Sequence, residues 1–245
     1  VNGVPHLTAE QFSWEYTTEN VSMMPAIINT LSMVAMTLVI AVPIGVFAAV
    51  YLVEYAKRGN KLVKVIRVTT ETLSGIPSIV FGLFGYLMFN LSLGWGFSML
   101  AGVVTLAMMI LPLIIRTTEE ALLAVPDSYR EGSFGLGAGK MRTVFRVILP
   151  TAVPGIMSGV ILAIGRIVGE SAALIFTSGS GHNLPGALAG SGSSAATLTV
   201  HMYILSTEGL HVNEAFASAV VLLVLTFVIN LISDLIERRI AKKKG

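Results

Sequence analysis

The sequence contains no cysteine and has little charge. Of its 245 residues, 16 are Lys or Arg and 14 are Asp or Glu, so that 12% carry a formal charge. Soluble domains average about 25%. The absence of cysteine excludes disulfides, thiolate catalysis and cysteine-based zinc sites. Because 54% of the residues are hydrophobic, too few polar residues remain to cover a water-facing surface. The composition therefore predicts a membrane protein and disfavours a nucleic-acid binder, a disordered chain or a cytosolic enzyme.

Long stretches that lack charged residues of either sign predict the membrane spans. These stretches are residues 20–53, 72–115, 147–165 and 215–233. The second is long enough for two crossings, because about 20 helical residues span the hydrocarbon core of a bilayer. We therefore predict an all-α polytopic membrane protein with five spans, near residues 25–53, 72–90, 97–115, 150–170 and 214–235.

The basic residues predict the orientation of these spans. Fifteen of the 16 Lys and Arg residues lie in 54–70, in 116–146 or in the C-terminal tail. Loops rich in Lys and Arg stay on the cytoplasmic side, so the N-terminus is predicted outside and the C-terminus inside. The predicted organisation is an external segment, 1–20, followed by a transmembrane domain, 21–245. That domain contains a cytoplasmic loop, 116–149, and an external loop, 171–213.

The predicted external position of residues 1–20 requires an explanation. This segment has neither the basic flank nor the apolar run of a signal peptide. We therefore expect a further span upstream of Val1, with a signal peptide cleaved just before Val1 as the alternative.

The cytoplasmic loop has the pattern of a docking element. A short helical pattern stops at Pro126, and a second begins near Asp127. An exposed short helix with an apolar face is suited to docking onto another protein. The alternative is a helix that lies on the membrane surface. Three apolar residues of the second pattern have no evident core to enter: Tyr129, Phe134 and Leu136.

This loop resembles the EAA loop of ATP-binding-cassette (ABC) importer permeases. The matching residues are Glu131, Gly132, Ser133 and Gly137, with Leu149 and Pro150 at the end of the loop. Gly132 and Ser133 stand where the family pattern has two alanines. In that family the loop forms a coupling helix that docks into the ATPase subunit. The resemblance therefore implies the fold of a type I ABC importer transmembrane domain, whose first span would precede Val1.

Three further segments resemble the phosphate-specific, PstA-type permeases: 73–85, 115–119 and 163–171. The resemblance implies a multi-pass protein of a prokaryotic cytoplasmic membrane that moves inorganic phosphate by alternating access. It also implies a paired PstC-like permease, PstB-like ATP-binding subunits and a PstS-like external phosphate-binding protein.

ATP and magnesium are expected in the partner ATPase and not in this chain, which is not predicted to be an enzyme. The stretch 135–140 is glycine-rich and ends in lysine, which suggests a phosphate loop. That motif fails because Phe134 and Met141 occupy positions where glycine and a hydroxyl residue are required.

Arg166 is the one basic residue outside the three basic clusters. An Arg in mid-membrane costs roughly 2.5–3.5 kcal/mol on insertion scales, so it needs water, a counter-ion or a task. Glu170 follows one turn later on the same predicted helix face. Either the two form a buried structural pair, or Arg166 binds phosphate oxygens while Glu170 holds the guanidinium. Arg116 is predicted to attract the ion at the inner mouth, or alternatively to anchor the span.

Two further groups of residues receive predictions. Small residues and a proline at the start of the second span predict a kink, which serves either packing or gating: Ser74, Gly75, Pro77 and Ser78. The four histidines lack the spacing of metal ligands and are predicted to be solvated: His6, His182, His201 and His211. No metal site is expected.

Rival functions remain open on the sequence alone. The chain could serve another oxyanion, such as sulfate, molybdate or phosphonate, and only the cognate binding protein would discriminate. A channel would need no coupling helix. An intramembrane enzyme would need a nucleophile with a base, or a metal set, and the predicted spans offer only Arg166 and Glu170 as an ionisable pair.

Overall fold

The computed structural model describes residues 7–17, 20–57, 59–184, 194–208 and 211–242, which are predominantly helical. One isolated antiparallel bridge, between His182 and Ala195, is the only β pairing within these ranges. His6 and much of the glycine-rich and serine-rich part of the predicted external loop, residues 185–193, lie outside the described residues.

The described residues form ten α-helices in chain order. They are α1 (Met24–Val50), α2 (Lys61–Ser74), α3 (Ser78–Gly85), α4 (Met99–Leu123), α5 (Asp127–Gly135), α6 (Lys140–Thr143), α7 (Leu149–Val168), α8 (Ala172–Thr177), α9 (Leu198–Glu208) and α10 (Val212–Lys242). π-Helical turns extend α1 over Tyr51–Tyr55 and α3 over Tyr86–Ser92, and a third joins α6 to α7 over Val144–Ile148.

Within the described ranges, four helical segments are long and apolar enough to cross a membrane: Met24–Tyr55, Met99–Leu123, Lys140–Val168 and Val212–Arg239. A broken pair, Val63–Ser74 and Ser78–Ser92, makes a fifth if it counts as one span. Helices suit this environment because each satisfies its own backbone hydrogen bonds where no water is available.

The chain folds into two compact units, each assembled from three segments. Unit 1 takes its described residues from 1–38, 76–109 and 164–230. Unit 2 takes its described residues from 39–75, 110–163 and 231–245.

In unit 1, a glycine brings α3 close to α8. A Cβ atom at Gly82 would lie 2.7 Å from the Cα atom of Ala173. Such close helix contacts are typical of small residues in membrane proteins, where they allow backbones to pack directly. The amide Nδ2 of Asn90 donates to the carbonyl of Thr177 at 3.0 Å, which satisfies the last turn of α8. These contacts fix the short helix that follows Arg166 in the chain.

In unit 2, the end of α1 packs against α4 and α7 around a buried apolar cluster. The cluster comprises Ala49, Val50, Leu52, Ile115, Leu122, Val125, Val144, Ile148, Ala152 and Ile156. A Cβ atom at Gly155 would lie 2.7 Å from the Cβ atom of Ala121, so α4 and α7 are in close contact there. Two residues of this cluster, Leu122 and Val125, accept hydrogen bonds from Arg130 of α5 through their backbone carbonyls.

Candidate functional site

The short helix predicted after Pro126 in the EAA-like loop is α5. It begins at Asp127, directly after Pro126, and ends at Gly135. Gly137 follows with φ +82°, in the left-handed region that favours glycine, and its N–H donates to the carbonyl of Phe134 at 2.9 Å. This conformation is a common way to end a helix and satisfy its last carbonyls.

The EAA-like residues occupy different environments on α5. Glu131 and Gly132 are exposed, whereas Ser133 is half-buried. The hydroxyl of Ser133 is hydrogen-bonded to that of Thr143 at 2.8 Å, so it ties α5 to the short helix α6. The apolar residues Tyr129, Phe134 and Leu136 are exposed. α5 therefore presents a free surface of mixed apolar and acidic character.

Arg130 anchors α5 to the rest of unit 2, a role that the sequence reasoning missed. Its Nη2 and Nε atoms donate to Oε1 of Glu54 at 2.8 and 3.1 Å. Nη1 donates to the carbonyl of Val125 at 2.9 Å and Nη2 to that of Leu122 at 3.1 Å. The Arg130 side chain is 16% exposed and that of Glu54 is 9% exposed. The sequence contained a signal for Glu54, which is the first charged residue after the uncharged stretch 20–53 and therefore needs a partner at the end of the span.

The last two residues of the EAA-like pattern, Leu149 and Pro150, lie where a π-helical turn gives way to the α-helix α7. Leu149 is half-buried against the apolar cluster of unit 2 and is the first residue of α7. Pro150 follows it, two residues after the end of the π-helical turn Val144–Ile148. A proline lacks the backbone N–H that a continuous α-helix would use at this position, and a local π-helical turn is a known accompaniment of such an interruption.

Arg166 lies in the last turn of α7 and is half-buried. Its side chain makes no hydrogen bond or ion pair with any other residue that the structure describes. Its guanidinium therefore keeps its donors available to a ligand or to water.

The predicted partnership between Arg166 and Glu170 is wrong for the described structure. The helix ends at Val168, so Glu170 is not one turn further along the same helix face. Its Oε1 atom instead accepts a hydrogen bond from the N–H of Ala173 at 3.0 Å, and its backbone carbonyl accepts one from the Thr199 hydroxyl at 3.0 Å. Glu170, 8% exposed, thus binds the first turn of α8, where a carboxylate satisfies free backbone donors.

Arg116 belongs to unit 2, whereas Arg166 and Glu170 belong to unit 1. Arg116 is exposed on α4, and its Nε atom donates to Oε1 of Glu120 at 3.1 Å, one turn later. A surface pair of this kind stabilises a helix by only a few tenths of a kcal/mol. Its guanidinium is therefore only weakly held.

The predicted kink coincides with a complete break between two helices. α2 ends at Ser74 and α3 begins at Ser78. Pro77 has φ −59° and ψ 143°, outside the helical region, and a proline also disfavours the helical conformation for the residue before it. The hydroxyl of Ser74 donates to the carbonyl of Glu71 at 2.7 Å, so it satisfies one of the last carbonyls of α2.

The histidine prediction is wrong for two of the four residues. His201 is 1% exposed, and its Nδ1 lies 3.3 Å from Nε2 of His182, within hydrogen-bond distance. The ring of Tyr16 stacks on His182 with centroids 3.5 Å apart. The three rings exclude water from one another, so burial lowers the pKa of His182 and lowers the pKa of His201 to about 4, with a smaller effect from His182.

The remaining described histidine is not buried. His211 Nδ1 lies 3.8 Å from Oε1 of Glu214, three residues later. In the described part of the chain, no group of three or more His, Asp or Glu side chains is arranged to hold a metal ion.

Comparisons with known proteins all match this chain to membrane components of transport systems. The family model described as "Binding-protein-dependent transport system inner membrane component" matches residues 41–243. The probable ABC transporter permease protein YqgI of Bacillus subtilis is 36% identical, over 99% of this chain and 87% of its own length. The phosphate transport system permease protein PstA 1 of Mycobacterium tuberculosis is 34% identical, over 86% of this chain and 69% of its own length.

A solved structure shows the same fold. A chain of the MetNI methionine ABC transporter in an inward-facing conformation is 23% identical and superposes with a TM-score of 0.68. The match covers 86% of this chain and 93% of that chain.

Proposed function

Because the chain belongs to the family of binding-protein-dependent transport system inner membrane components, we propose that it is the permease subunit that moves inorganic phosphate in an ABC importer. The chain is a multi-pass inner membrane protein with the fold of a type I ABC importer transmembrane domain. A permease of this family is a transport subunit that works with an ATPase and a substrate-binding protein.

The observation that carries the phosphate proposal is the unpaired guanidinium of Arg166. It is half-buried in an apolar helix and has no partner among the described residues. A guanidinium stays charged at every relevant pH and can donate two parallel hydrogen bonds to an oxyanion. The identity to a phosphate transport permease over most of the chain supports phosphate over sulfate, molybdate or phosphonate.

Glu170 supports transport in a different way from the predicted pairing. Glu170 lies four residues after Arg166, and its carboxylate accepts a hydrogen bond from Ala173 in the first turn of α8. It therefore fixes the turn that follows the proposed binding residue. A transport site must also release its ion, and therefore must not hold it too tightly. A single guanidinium, with one carboxylate nearby in the sequence, attracts the phosphate ion moderately and allows its release.

The remaining residues are assigned to coupling and access. The exposed face of α5 docks into the PstB-like ATPase subunit, which uses ATP and magnesium. The break at Ser74–Ser78 acts as a gate, and the weakly held Arg116 attracts the ion at the inner mouth. Phosphate arrives from a PstS-like binding protein and crosses between this chain and a PstC-like permease by alternating access.

Uptake of labelled phosphate by the complete transporter tests the binding role of Arg166. The Arg166→Gln variant should lose uptake by at least about tenfold, because one charge-assisted pair contributes roughly 1.5–3 kcal/mol. Arg166→Lys should keep part of the uptake, since it keeps the charge without the bidentate fork. Arg239→Gln removes an exposed charge from α10 and is the matched control.

Two further readings make this test specific. ATPase subunits should co-purify with all three variants, which separates a lost anion site from a failed assembly. Excess unlabelled phosphate should compete with uptake by the unmodified protein, whereas sulfate should not. Undiminished uptake by Arg166→Gln would overturn the anion-site proposal.

A further inference from the structure

A basic pocket of unit 2 has no role in the transport mechanism proposed above. The loop after the π-helical end of α1, together with α2, encloses a space of about 550 Å³. Four cationic side chains line it: Lys57, Lys61, Lys64 and Arg67. Lys57, Lys61 and Lys64 are exposed, so their ammonium groups are accessible to a ligand.

The charge of the pocket is not neutralised by the protein. Glu71 is the one carboxylate among the residues that line it, and Arg67 forms an ion pair with Glu119 on α4. None of the three lysines forms an ion pair with a described residue. The pocket therefore keeps a net positive charge and selects an anionic ligand.

One wall of the same pocket is apolar. Val53, Val63 and Val68 line it beside the lysines, and Leu123 closes the α4 side. Val68 and Leu123 are exposed, so an apolar ligand segment can contact them. Helix α2 is amphipathic, since Val63 and Ile66 pack against the core cluster of unit 2 while Lys61 and Lys64 are exposed. A ligand that matches both walls needs a negative head and an apolar body.

We propose that this pocket binds the headgroup phosphate of an anionic phospholipid, with the acyl chains along Val68 and Leu123. Basic pockets beside membrane helices on the cytoplasmic side commonly hold such headgroups, and each nearby Lys or Arg adds to the attraction. Free phosphate has the same charge chemistry but would leave the apolar wall unmatched. The site is separate from Arg166 and does not depend on which ion the transporter carries.

The experiment counts lipids that remain bound to the purified full-length protein by native mass spectrometry, using phosphatidylglycerol and zwitterionic phosphatidylcholine as probes. The unmodified protein should retain phosphatidylglycerol preferentially. The Lys61→Gln/Lys64→Gln variant should bind phosphatidylglycerol on the order of tenfold more weakly. Arg142→Gln/Arg146→Gln removes the same charge from exposed positions outside this pocket and should retain the lipid.

Each outcome decides the proposal. Equal retention of phosphatidylglycerol by the unmodified protein and the Lys61→Gln/Lys64→Gln variant would overturn it, as would equal retention of both lipids by the unmodified protein. A third arm adds inorganic phosphate. Displacement of phosphatidylglycerol by phosphate at comparable concentration would assign the site to a free anion and not to a lipid. The Lys variant should melt at an unchanged temperature, because both lysines are exposed.

Discussion

Arg130 and Arg166 carry the same guanidinium group in different surroundings. Arg130 is held by two carboxylates, those of Glu54 and Asp127, and by two backbone carbonyls, all within 3.1 Å. Arg166 has no protein partner among the described residues. A charge that the fold leaves unpaired in an apolar protein is a candidate for function, whereas a fully paired one fixes structure.

The buried His201, which contacts the half-buried His182, should respond to pH. The pKa of His201 is lowered to about 4 in the folded protein. In the unfolded chain this histidine is protonated near pH 6.5, whereas in the folded protein it stays neutral at that pH. The contribution of this group is therefore complete above about pH 6.5 and is lost as the pH falls toward 4. The loss is at most about 3 kcal/mol, at 1.36 kcal/mol for each pKa unit.

Fluorescence of Trp14, near the stacked Tyr16 in the chain, can report this transition in a Trp95→Phe background. We expect the emission to change as the pH falls through about 4, where the folded protein takes up a proton on His201 and the ring cluster opens. His201→Gln should abolish the transition, whereas His211→Gln should leave it in place. Identical titrations of the Trp95→Phe protein with and without His201→Gln would contradict the assignment.

At the scale of an element, α5 is short and almost wholly exposed, and few contacts of its own hold it. Its nine residues include none that is buried. Isolated helices of this length are not stable in water, so its position depends on Arg130 and on the bond between Ser133 and Thr143. The exposed face of α5 that is proposed to dock and the residues that hold the helix in place, Arg130 and Ser133, are therefore different parts of one helix.

Replacing Arg130 by Gln should destabilise the chain by about 3 kcal/mol, because it leaves the Glu54 carboxylate buried without its partner. Arg142→Gln, which removes an exposed charge, should cost almost nothing. Thermal unfolding of the purified protein measures both. Phosphate-stimulated ATP hydrolysis in the assembled transporter should fall for Arg130→Gln, since α5 loses its fixed position.

A double-mutant cycle distinguishes the pair from general damage. If Arg130 and Glu54 act as one unit, Arg130→Gln/Glu54→Gln should cost clearly less than the sum of the two single variants. Strict additivity of the three free energies would show that the pair does not anchor α5.

At the scale of the whole molecule, the predicted orientation rests on the distribution of charge alone and can be tested with cysteines. The chain has no native cysteine, so a single introduced thiol is labelled unambiguously. Leu93 and Leu136 are both exposed and lie in the predicted external and cytoplasmic connections. A membrane-impermeant maleimide should label Leu93→Cys in intact cells and Leu136→Cys only after permeabilisation. The reverse pattern would invert the predicted topology.

The prediction of an all-α importer permease in the inner membrane is confirmed by the family match and by the solved MetNI fold. It was accessible from the sequence because spans and EAA-like spacing are local features. The positions of Arg116 and of the helix break near Pro77 were equally local. The relation of Arg166 to Glu170 was predicted wrongly, because the helix ends at Val168, directly before Gly169, and a glycine at that position commonly ends a helix.

The sequence by itself determined which segments can enter a bilayer, because hydropathy and charge are summed along the chain and need no partner. Tertiary structure alone decided which charges and rings that are distant in the sequence are paired. Glu54 meets Arg130 across 76 positions, and His182 meets His201 across 19 positions. Such contacts depend on how helices pack, and packing brings together residues whose separation along the chain contains no sign of their distance in space.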